Sequence, residues 1–210
     1  RQNERLESFV SVVSHDLRNP LTVLTGALEL AERTGDAEHF ERGRRARDRM
    51  EQLIEDLLTL ARQGESVEDT TSVDVGRVAE GSWSGVATAE ATLDARVDLE
   101  IQCHEGRFRE LLENLFRNSV EHGGQQVSVT VGELSDENGF YVADDGPGIP
   151  PEHRGEVFES GFSTSTDGSG FGLSIVDGIV TAHDWDVTVT ESDAGGARFE
   201  IRTGGGTTVS

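Results

Sequence analysis

Two long segments at the start of the chain carry apolar residues at helical spacing, and they constrain the fold more than any other feature. Residues 2–33 form the first amphipathic pattern and residues 37–63 form the second. The first stripe comprises Leu6, Phe9, Val10, Val13, Leu17, Leu21, Leu24, Ala27, Leu28 and Ala31. The second comprises Phe40, Ala46, Met50, Leu53, Ile54, Leu57, Leu58 and Ala61. The turn Thr34-Gly35-Asp36 separates them, so the sequence predicts a helical hairpin with Asp36 capping the second helix.

One hairpin of this kind buries each apolar stripe only in part. Either two copies pair through residues 2–63 as a dimeric four-helix bundle, or the helices pack on the rest of their own chain. The motif around His15, described below, favours the homodimer. We therefore expect residues 1–64 to form a dimerisation domain.

After this hairpin the pattern changes to mixed helix and strand. Residues 65–73 are polar and acidic and are interpreted as a linker, residues 74–203 as an α/β domain, and residues 204–210 as a flexible tail. Helices are predicted over 75–91, 107–121 and 173–182. Strands are predicted over 127–131, 140–143, 187–190 and 197–201, and the first two should form a hairpin.

The composition excludes several kinds of chemistry. All 18 basic residues are Arg, so the lysine that a P-loop, an ordinary protein kinase or a Schiff-base enzyme needs is missing. Residues 65–210 contain 8 Arg against 28 Asp and Glu, and a surface this acidic repels nucleic acid. The low-lysine, acidic composition favours a salt-loving archaeal protein over an ordinary acidic bacterial one.

No apolar run approaches the roughly 18 residues of a membrane span, and no signal-peptide pattern is present. The single cysteine, Cys103, excludes an internal disulfide. We therefore expect a cytoplasmic location, which is compatible with a longer protein anchored through a segment outside this chain.

The first chemical motif is Ser14-His15-Asp16-Leu17-Arg18-Asn19-Pro20-Leu21. Neutral imidazole is a good nucleophile near neutral pH, and the carboxylate of Asp16 can accept the proton of the second ring nitrogen. Asn19 follows His15 by four residues and lies on the same helix face. A lone helical histidine is usually a surface or packing residue, so the significance lies in the whole octapeptide.

The second motif, Glu113-Asn114-Leu115-Phe116-Arg117-Asn118, places Asn114 and Asn118 on one helix face. Two capping or solvent-facing amides would explain it. Alternatively, Asn118 offers a carbonyl oxygen to Mg²⁺, which prefers oxygen ligands, and Asn114 holds a metal-bound water or a phosphate oxygen.

The third motif, Asp144-Asp145-Gly146-Pro147-Gly148-Ile149-Pro150, follows a predicted strand. A simple turn would explain it. Alternatively, Asp144 accepts the exocyclic amino group of adenine, and Gly146 and Gly148 let the backbone approach the base.

The fourth motif is glycine-rich and leads into a helix. It runs from Phe158 through Phe162 to the segment Gly168-Ser169-Gly170-Phe171-Gly172-Leu173. Backbone N–H groups and a helix N-terminus of this kind can bind phosphate without lysine. A glycine-rich loop alone is weak evidence.

These four motifs, in this order, resemble the H, N, G1, F and G2 boxes of two-component sensor histidine kinases. The resemblance covers nearly the whole chain. It implies a dimeric four-helix bundle followed by an α/β sandwich of the Bergerat type, with a mixed, largely antiparallel sheet backed by helices. It also implies Mg²⁺-ATP-dependent phosphorylation of His15 and transfer to an aspartate of a response regulator receiver domain.

The resemblance also assigns roles to individual residues. The catalytic set is His15, Asp16, Asn19 and Asn114, with Asn19 orienting water for hydrolysis of the regulator's phospho-aspartate, and Asn118 is the metal ligand. The nucleotide-binding set is Asn114, Asn118, Asp144, Gly146, Gly148, Phe158, Phe162, Gly168, Gly170, Gly172 and Leu173.

One departure from the family pattern concerns the phosphates. Many members have a lysine shortly after the second asparagine, whereas this chain continues Ser119-Val120-Glu121-His122. Arg117 or His122 could compensate. The alternative is a degenerate nucleotide-binding member that acts mainly as a phosphatase or scaffold. A non-enzymatic dimerisation module conflicts with the intact nucleotide motifs, and a gyrase- or Hsp90-like ATPase lacks the His15 hairpin.

Overall fold

The computed structural model describes residues 2–61, 69–86, 90–124, 126–135, 139–159, 161–162 and 170–204, without the side chains of residues 2–12, 15, 55, 60 and 61. In chain order the elements are α1 (Gln2–Thr34), α2 (Ala37–Ala61), β1 (Thr71–Asp74), α3 (Val75–Trp83), β2 (Thr92–Ala95), β3 (Glu100–Cys103), α4 (Glu105–Gly123), β4 (Ser128–Glu133), β5 (Gly139–Asp144), α5 (Gly172–Ala182), β6 (Asp186–Glu191) and β7 (Ala197–Arg202). These residues form two compact units, the first from 2–61 with 161, 162, 170 and 171, and the second from the remainder.

The first unit contains the predicted helical hairpin. Gly35 ends α1 in the left-handed conformation at φ +69°, and its N–H donates to the carbonyl of Ala31 at 2.8 Å. The Asp36 carboxylate accepts the N–H of Glu38 at 3.1 Å, which confirms the predicted cap of α2. Small residues bring the two helices together, because a Cβ built on Gly43 would lie 3.6 Å from Leu24 and 3.8 Å from Ala27.

The second unit contains two sheets. The larger has the strand order β2-β4-β5-β7-β6, in which only the β2–β4 pair is parallel. The smaller pairs β1 with β3 in antiparallel register, with Val73 opposite Ile101. A mixed, largely antiparallel sheet is thus confirmed, as is the hairpin of β4 and β5, where Val131 lies opposite Val142.

Buried and partly buried residues alternate along the strands, so one face of the larger sheet packs against the core. In β7, Ala197, Phe199 and Ile201 are buried, whereas the residues between them are only partly buried. The core side includes Phe108 of α4, which packs edge to face on Phe140 at 5.4 Å. On the opposite face the Arg198 guanidinium lies 3.6 Å from the centre of the Tyr141 ring. The α4 helix is therefore fixed to the sheet by a rigid aromatic core.

Two expectations for this unit were wrong. The helix predicted over 75–91 ends at Trp83, and Ser84 and Gly85 form the turn that follows it. Strands β1, β2 and β3 were not predicted, and each has only four residues. The other predicted helices and strands are confirmed with slightly different ends.

The predicted boundary between residues 64 and 65 lies outside the described residues, as does most of the predicted tail. The division into domains therefore stays a prediction. No helix within the described part of the chain is long and apolar enough to cross a membrane.

Candidate nucleotide and phosphoacceptor sites

Helix α4 presents the two asparagines of the second motif. Its apolar side, which includes Leu111, Leu112 and Leu115, is fully buried and fixes the rotation of the helix. Asn114 is only 5% exposed, and its amide nitrogen donates to the carbonyl of Glu110 at 2.9 Å. This bond leaves the carbonyl oxygen of Asn114 directed away from the backbone of its own helix.

The first residue of α5, Gly172, lies against these two amides. A Cβ on Gly172 would be 3.3 Å from Oδ1 of Asn114 and 3.5 Å from Oδ1 of Asn118. The helix therefore begins beside both predicted ligand residues, with Leu173 as its second residue. A helix N-terminus presents unbonded N–H groups and partial positive charge, which suits phosphate.

Asp144, at the end of β5, is 8% exposed and is held by three donors. Its Oδ1 accepts the N–H of Gly146 at 3.0 Å and the N–H of Ala197 at 3.1 Å. Its Oδ2 accepts the hydroxyl of Ser119 at 3.0 Å. These three bonds fix the orientation of the carboxylate.

The backbone around Asp144 is packed so closely that glycine is required at several points. A Cβ on Gly196 would overlap the carbonyl oxygen and carboxylate of Asp144, and one on Gly146 would lie 2.8 Å from the Cα of Gly123. Gly148 has φ +70°, and a Cβ on it would lie 3.0 Å from the carbonyl oxygen of Gly195. Gly146 and Gly148 therefore permit a close approach of two backbone segments. Their predicted approach to a nucleotide base stays a prediction.

Three residues that secure Asp144 were not identified from the sequence: Ser119, Ser192 and Gly196. The hydroxyl of Ser192 donates to the carbonyl of Asp144 at 2.6 Å and accepts the N–H of Gly196 at 2.9 Å. It ties the turn between β6 and β7 to the end of β5. A serine near a glycine pair is too common in turns to have signalled this role.

The described contacts do not connect every predicted nucleotide-binding residue to Asn114, Asn118 or Asp144. Phe158 is half-buried and packs edge to face on Phe199, with ring centres 6.4 Å apart. Phe162 and Gly170 belong to the first unit, and Gly168 lies outside the described residues. The N–H of Gly161 donates to the carbonyl of Gly170 at 3.0 Å, and both glycines have positive φ. These two residues therefore hold together the ends of the glycine-rich segment.

The charges near the asparagines differ from the family pattern noted above. Arg117 is half-buried, and its guanidinium donates to Oδ1 of Asn114 at 3.4 Å, whereas Glu121 and His122 are exposed. Of the two candidates for replacing a lysine, Arg117 is the one with a contact to a site residue.

The residues present fit a magnesium ion held largely by its phosphate ligands. Within the described part of the chain, no group of three or more His, Cys, Asp or Glu residues could hold a metal. The amide oxygens of Asn114 and Asn118 are hard oxygen donors beside the N-terminus of α5. Mg²⁺ in such sites takes one or two protein oxygens, with phosphate and water completing its octahedron.

In the first unit, α1 carries the proposed phosphoacceptor. The backbone of His15 is helical, and its side chain lies outside the described atoms. Asp16 is half-buried, Asn19 is exposed and Pro20 is buried within the helix. Residues 15 and 19 are thus about one turn apart on a continuous helix.

Family models match both parts of the chain. Residues 5–66 match the His Kinase A (phospho-acceptor) domain, and residues 103–205 match the histidine kinase-, DNA gyrase B- and HSP90-like ATPase domain.

Curated relatives match over almost the full length of this chain. The probable sensor histidine kinase TcrY of Mycobacterium tuberculosis is 32% identical over 94% of this chain and 45% of its own. The signal transduction histidine-protein kinase AfsQ2 of Streptomyces coelicolor is 31% identical over 92% of this chain and 41% of its own. The chain thus spans less than half the length of these relatives.

Solved structures share the fold. The histidine kinase AdeS of Acinetobacter baumannii superimposes with a TM-score of 0.67 at 21% identity, covering 91% of this chain and 98% of that one. Histidine kinase ThkA, solved in complex with the response regulator protein TrrA, gives a TM-score of 0.74 at 20% identity, covering 97% and 64%.

The two family models lie in the same order as the two parts of the chain whose geometry is described above. One covers the helical hairpin with His15, and the other covers α4, Asp144 and the start of α5. Together with relatives that match along both parts, they show that this chain belongs to the two-component sensor histidine kinases and comprises the phosphoacceptor and ATP-binding regions of that family.

Proposed function

We propose that the chain transfers the γ-phosphoryl group of ATP to His15 and then to an aspartate of a response regulator receiver domain. In the first step a ring nitrogen of His15 attacks the γ-phosphorus, the bond to the ADP oxygen breaks, and Asp16 accepts the proton of the other ring nitrogen. The observation that carries the proposal is the junction of Asn114, Asn118 and Gly172, because it supplies phosphate-binding groups without lysine.

The adenine end of ATP is assigned to Asp144 and the phosphate end to the start of α5. Asp144 keeps one acceptor position on Oδ2 for the exocyclic amino group, and Gly146 and Gly148 give the backbone its close approach. At the other end, Arg117 adds positive charge beside Asn114.

Mg²⁺ is part of this proposal. Asn118 would supply a carbonyl oxygen to the ion and Asn114 would hold a bound water or phosphate oxygen. When bound, the ion neutralises phosphate charge and so aids departure of ADP. That role matters more here than usual, since the run after Asn118 contains the exposed Glu121 and no lysine.

The test is labelling with radioactive ATP followed by acid, because phospho-histidine is acid-labile. His15→Gln should lose the label while retaining ATP binding. His39→Gln, the same change on the other helix of the hairpin, should keep it. Acid-labile label persisting in His15→Gln would show that another residue is the acceptor.

We also propose that residues 2–63 hold a homodimer. Large apolar side chains of the hairpin remain uncovered in the single chain, among them Leu28 at 47%, Ile54 at 47% and Leu58 at 55% exposed. A cluster of this kind on one hairpin is typical of a protein interface. Light scattering should give twice the chain mass, and a monomer mass at micromolar concentration in high salt would contradict the dimer.

A phosphatase activity toward the phosphorylated regulator is assigned to Asn19. Its exposed position on the face of His15 would let its amide orient water at the partner's phospho-aspartate. Asn19→Ala should lose phosphatase activity and keep autophosphorylation, whereas Asp16→Asn should lose most autophosphorylation. If Asn19→Ala lowers both rates equally, the residue only stabilises the helix before Pro20. The cytoplasmic location and the lack of nucleic-acid binding stay predictions.

A further inference from the structure

The serine that follows the second asparagine of α4 is buried against the proposed adenine-binding carboxylate. Ser119 is 3% exposed, and its hydroxyl donates to Oδ2 of Asp144 at 3.0 Å. Ser119 thus lies between the phosphate end of the site, at Asn118, and the base end, at Asp144.

Counting acceptor positions shows what that contact does. A carboxylate has about four lone-pair positions, two on each oxygen. Oδ1 of Asp144 uses both of its positions for the N–H groups of Gly146 and Ala197. Oδ2 uses one for Ser119. Among the hydrogen bonds of the described residues, the position left for a ligand is therefore on the same oxygen that Ser119 binds.

Sharing one oxygen couples the serine to the ligand. Because the hydroxyl of Ser119 occupies one lone pair of Oδ2, it fixes the direction of the other. The backbone donors on Oδ1 stop the carboxylate from rotating to present a different oxygen. An amino group that approaches Oδ2 then meets an acceptor of fixed direction, which strengthens a hydrogen bond.

We propose that Ser119 is a positioning residue for base recognition, directing the free lone pair of Asp144 toward the exocyclic amino group of adenine. This inference rests on the proposed function, because it places ATP in this site. Ser119 acts through Asp144, to which its hydroxyl donates.

A thermodynamic cycle tests the proposal by crossing two proteins with two nucleotides. The proteins are the unaltered chain and Ser119→Ala. The nucleotides are ATP and purine riboside triphosphate, which lacks only the exocyclic amino group. The quantity measured by calorimetry is the ratio of the two affinities within each protein. Partial unfolding of a variant lowers both affinities alike and leaves this ratio unchanged.

Ser82→Ala is the matched control. Ser82 belongs to the same unit and is fully buried, and its hydroxyl has no hydrogen-bond partner among the described atoms. The control removes the same atom from a similar environment without touching Asp144.

We expect the unaltered chain and Ser82→Ala to prefer ATP by roughly tenfold, the worth of one hydrogen bond to a charged group. In Ser119→Ala the preference should fall to about threefold or less. An unchanged preference in Ser119→Ala would overturn the inference and leave the proposed function standing. An unaltered chain without any preference would remove Asp144 as the base acceptor and the inference with it. Failure to bind either nucleotide would overturn both the inference and the proposed function.

Discussion

Replacing Gly172 by alanine should weaken ATP binding while leaving the stability of the fold almost unchanged. Gly172 does not have a positive φ, so alanine can adopt its backbone conformation. The nearest atoms to the new methyl group would be Oδ1 of Asn114 at 3.3 Å and Oδ1 of Asn118 at 3.5 Å. Both belong to side chains, which can move by a few tenths of an ångström. The substitution therefore places a methyl group between the two proposed ligand residues without striking the backbone.

The expected effect on stability is small because two terms oppose each other. Alanine in place of glycine stabilises a helix by up to about 1 kcal/mol. Displacing the amides costs a similar amount, so the free energy of unfolding should change by no more than about 1 kcal/mol and Tm by a few degrees. The effect on ATP should be larger, because the amides and the helix terminus no longer meet. We expect affinity to fall at least about tenfold, or about 1.4 kcal/mol.

Calorimetry with ATP and thermal denaturation measure the two effects separately. Gly155→Ala is the control, because a Cβ at that position would meet nothing within 4 Å. Unchanged ATP affinity in Gly172→Ala would refute the placement of the phosphates at the start of α5. A fall in Tm of ten degrees or more would refute the claim that the methyl group is tolerated.

Three further predictions concern the metal, pH and salt. Asn118→Asp should disturb the Mg²⁺ dependence of autophosphorylation more than ATP affinity, as a magnesium titration of both quantities would show. Burial lowers the pKa of His183 below its usual 6.5, helped by Arg107 and His104, and its Nε2 accepts the N–H of His104. The unfolded chain therefore gains its proton first, so stability should decline as pH falls below 6.5. His183→Gln should flatten the fall of Tm between pH 6.5 and about 5.5. Tm should also rise between 0.1 M and 1 M salt, because the excess of acidic residues in 65–210 repels itself and the Debye length shortens from about 10 Å to about 3 Å. A constant Tm would contradict the proposed adaptation to salt.

The sequence was sufficient to predict the structure wherever the interactions that determine it are local. Helices α1 and α2 follow from apolar spacing, and their turn follows from Gly35 and Asp36. The juxtaposition of Asn114 and Asn118 follows from a separation of four residues. The short strands escaped prediction because their pairing is distant: Val73 of β1 pairs with Ile101 of β3. A four-residue strand has too few residues to show alternation, so only its partner identifies it.

The same distinction explains which parts of the nucleotide site were found. The motif with Asp144 and Gly146 contains one of the three donors to the carboxylate, and the sequence identified both residues. The other two donors, Ser119 and Ala197, lie 25 and 53 positions away along the chain. No periodic pattern in the sequence links residues that far apart. Serine and alanine are also too common in helices and strands to indicate such a contact by themselves. What converts a simple Asp-Asp-Gly turn into an acceptor of fixed direction is the tertiary packing of α4 and β7 against the end of β5. Gly196 is the residue whose identity reflects this packing, because any side chain at that position would collide with Asp144.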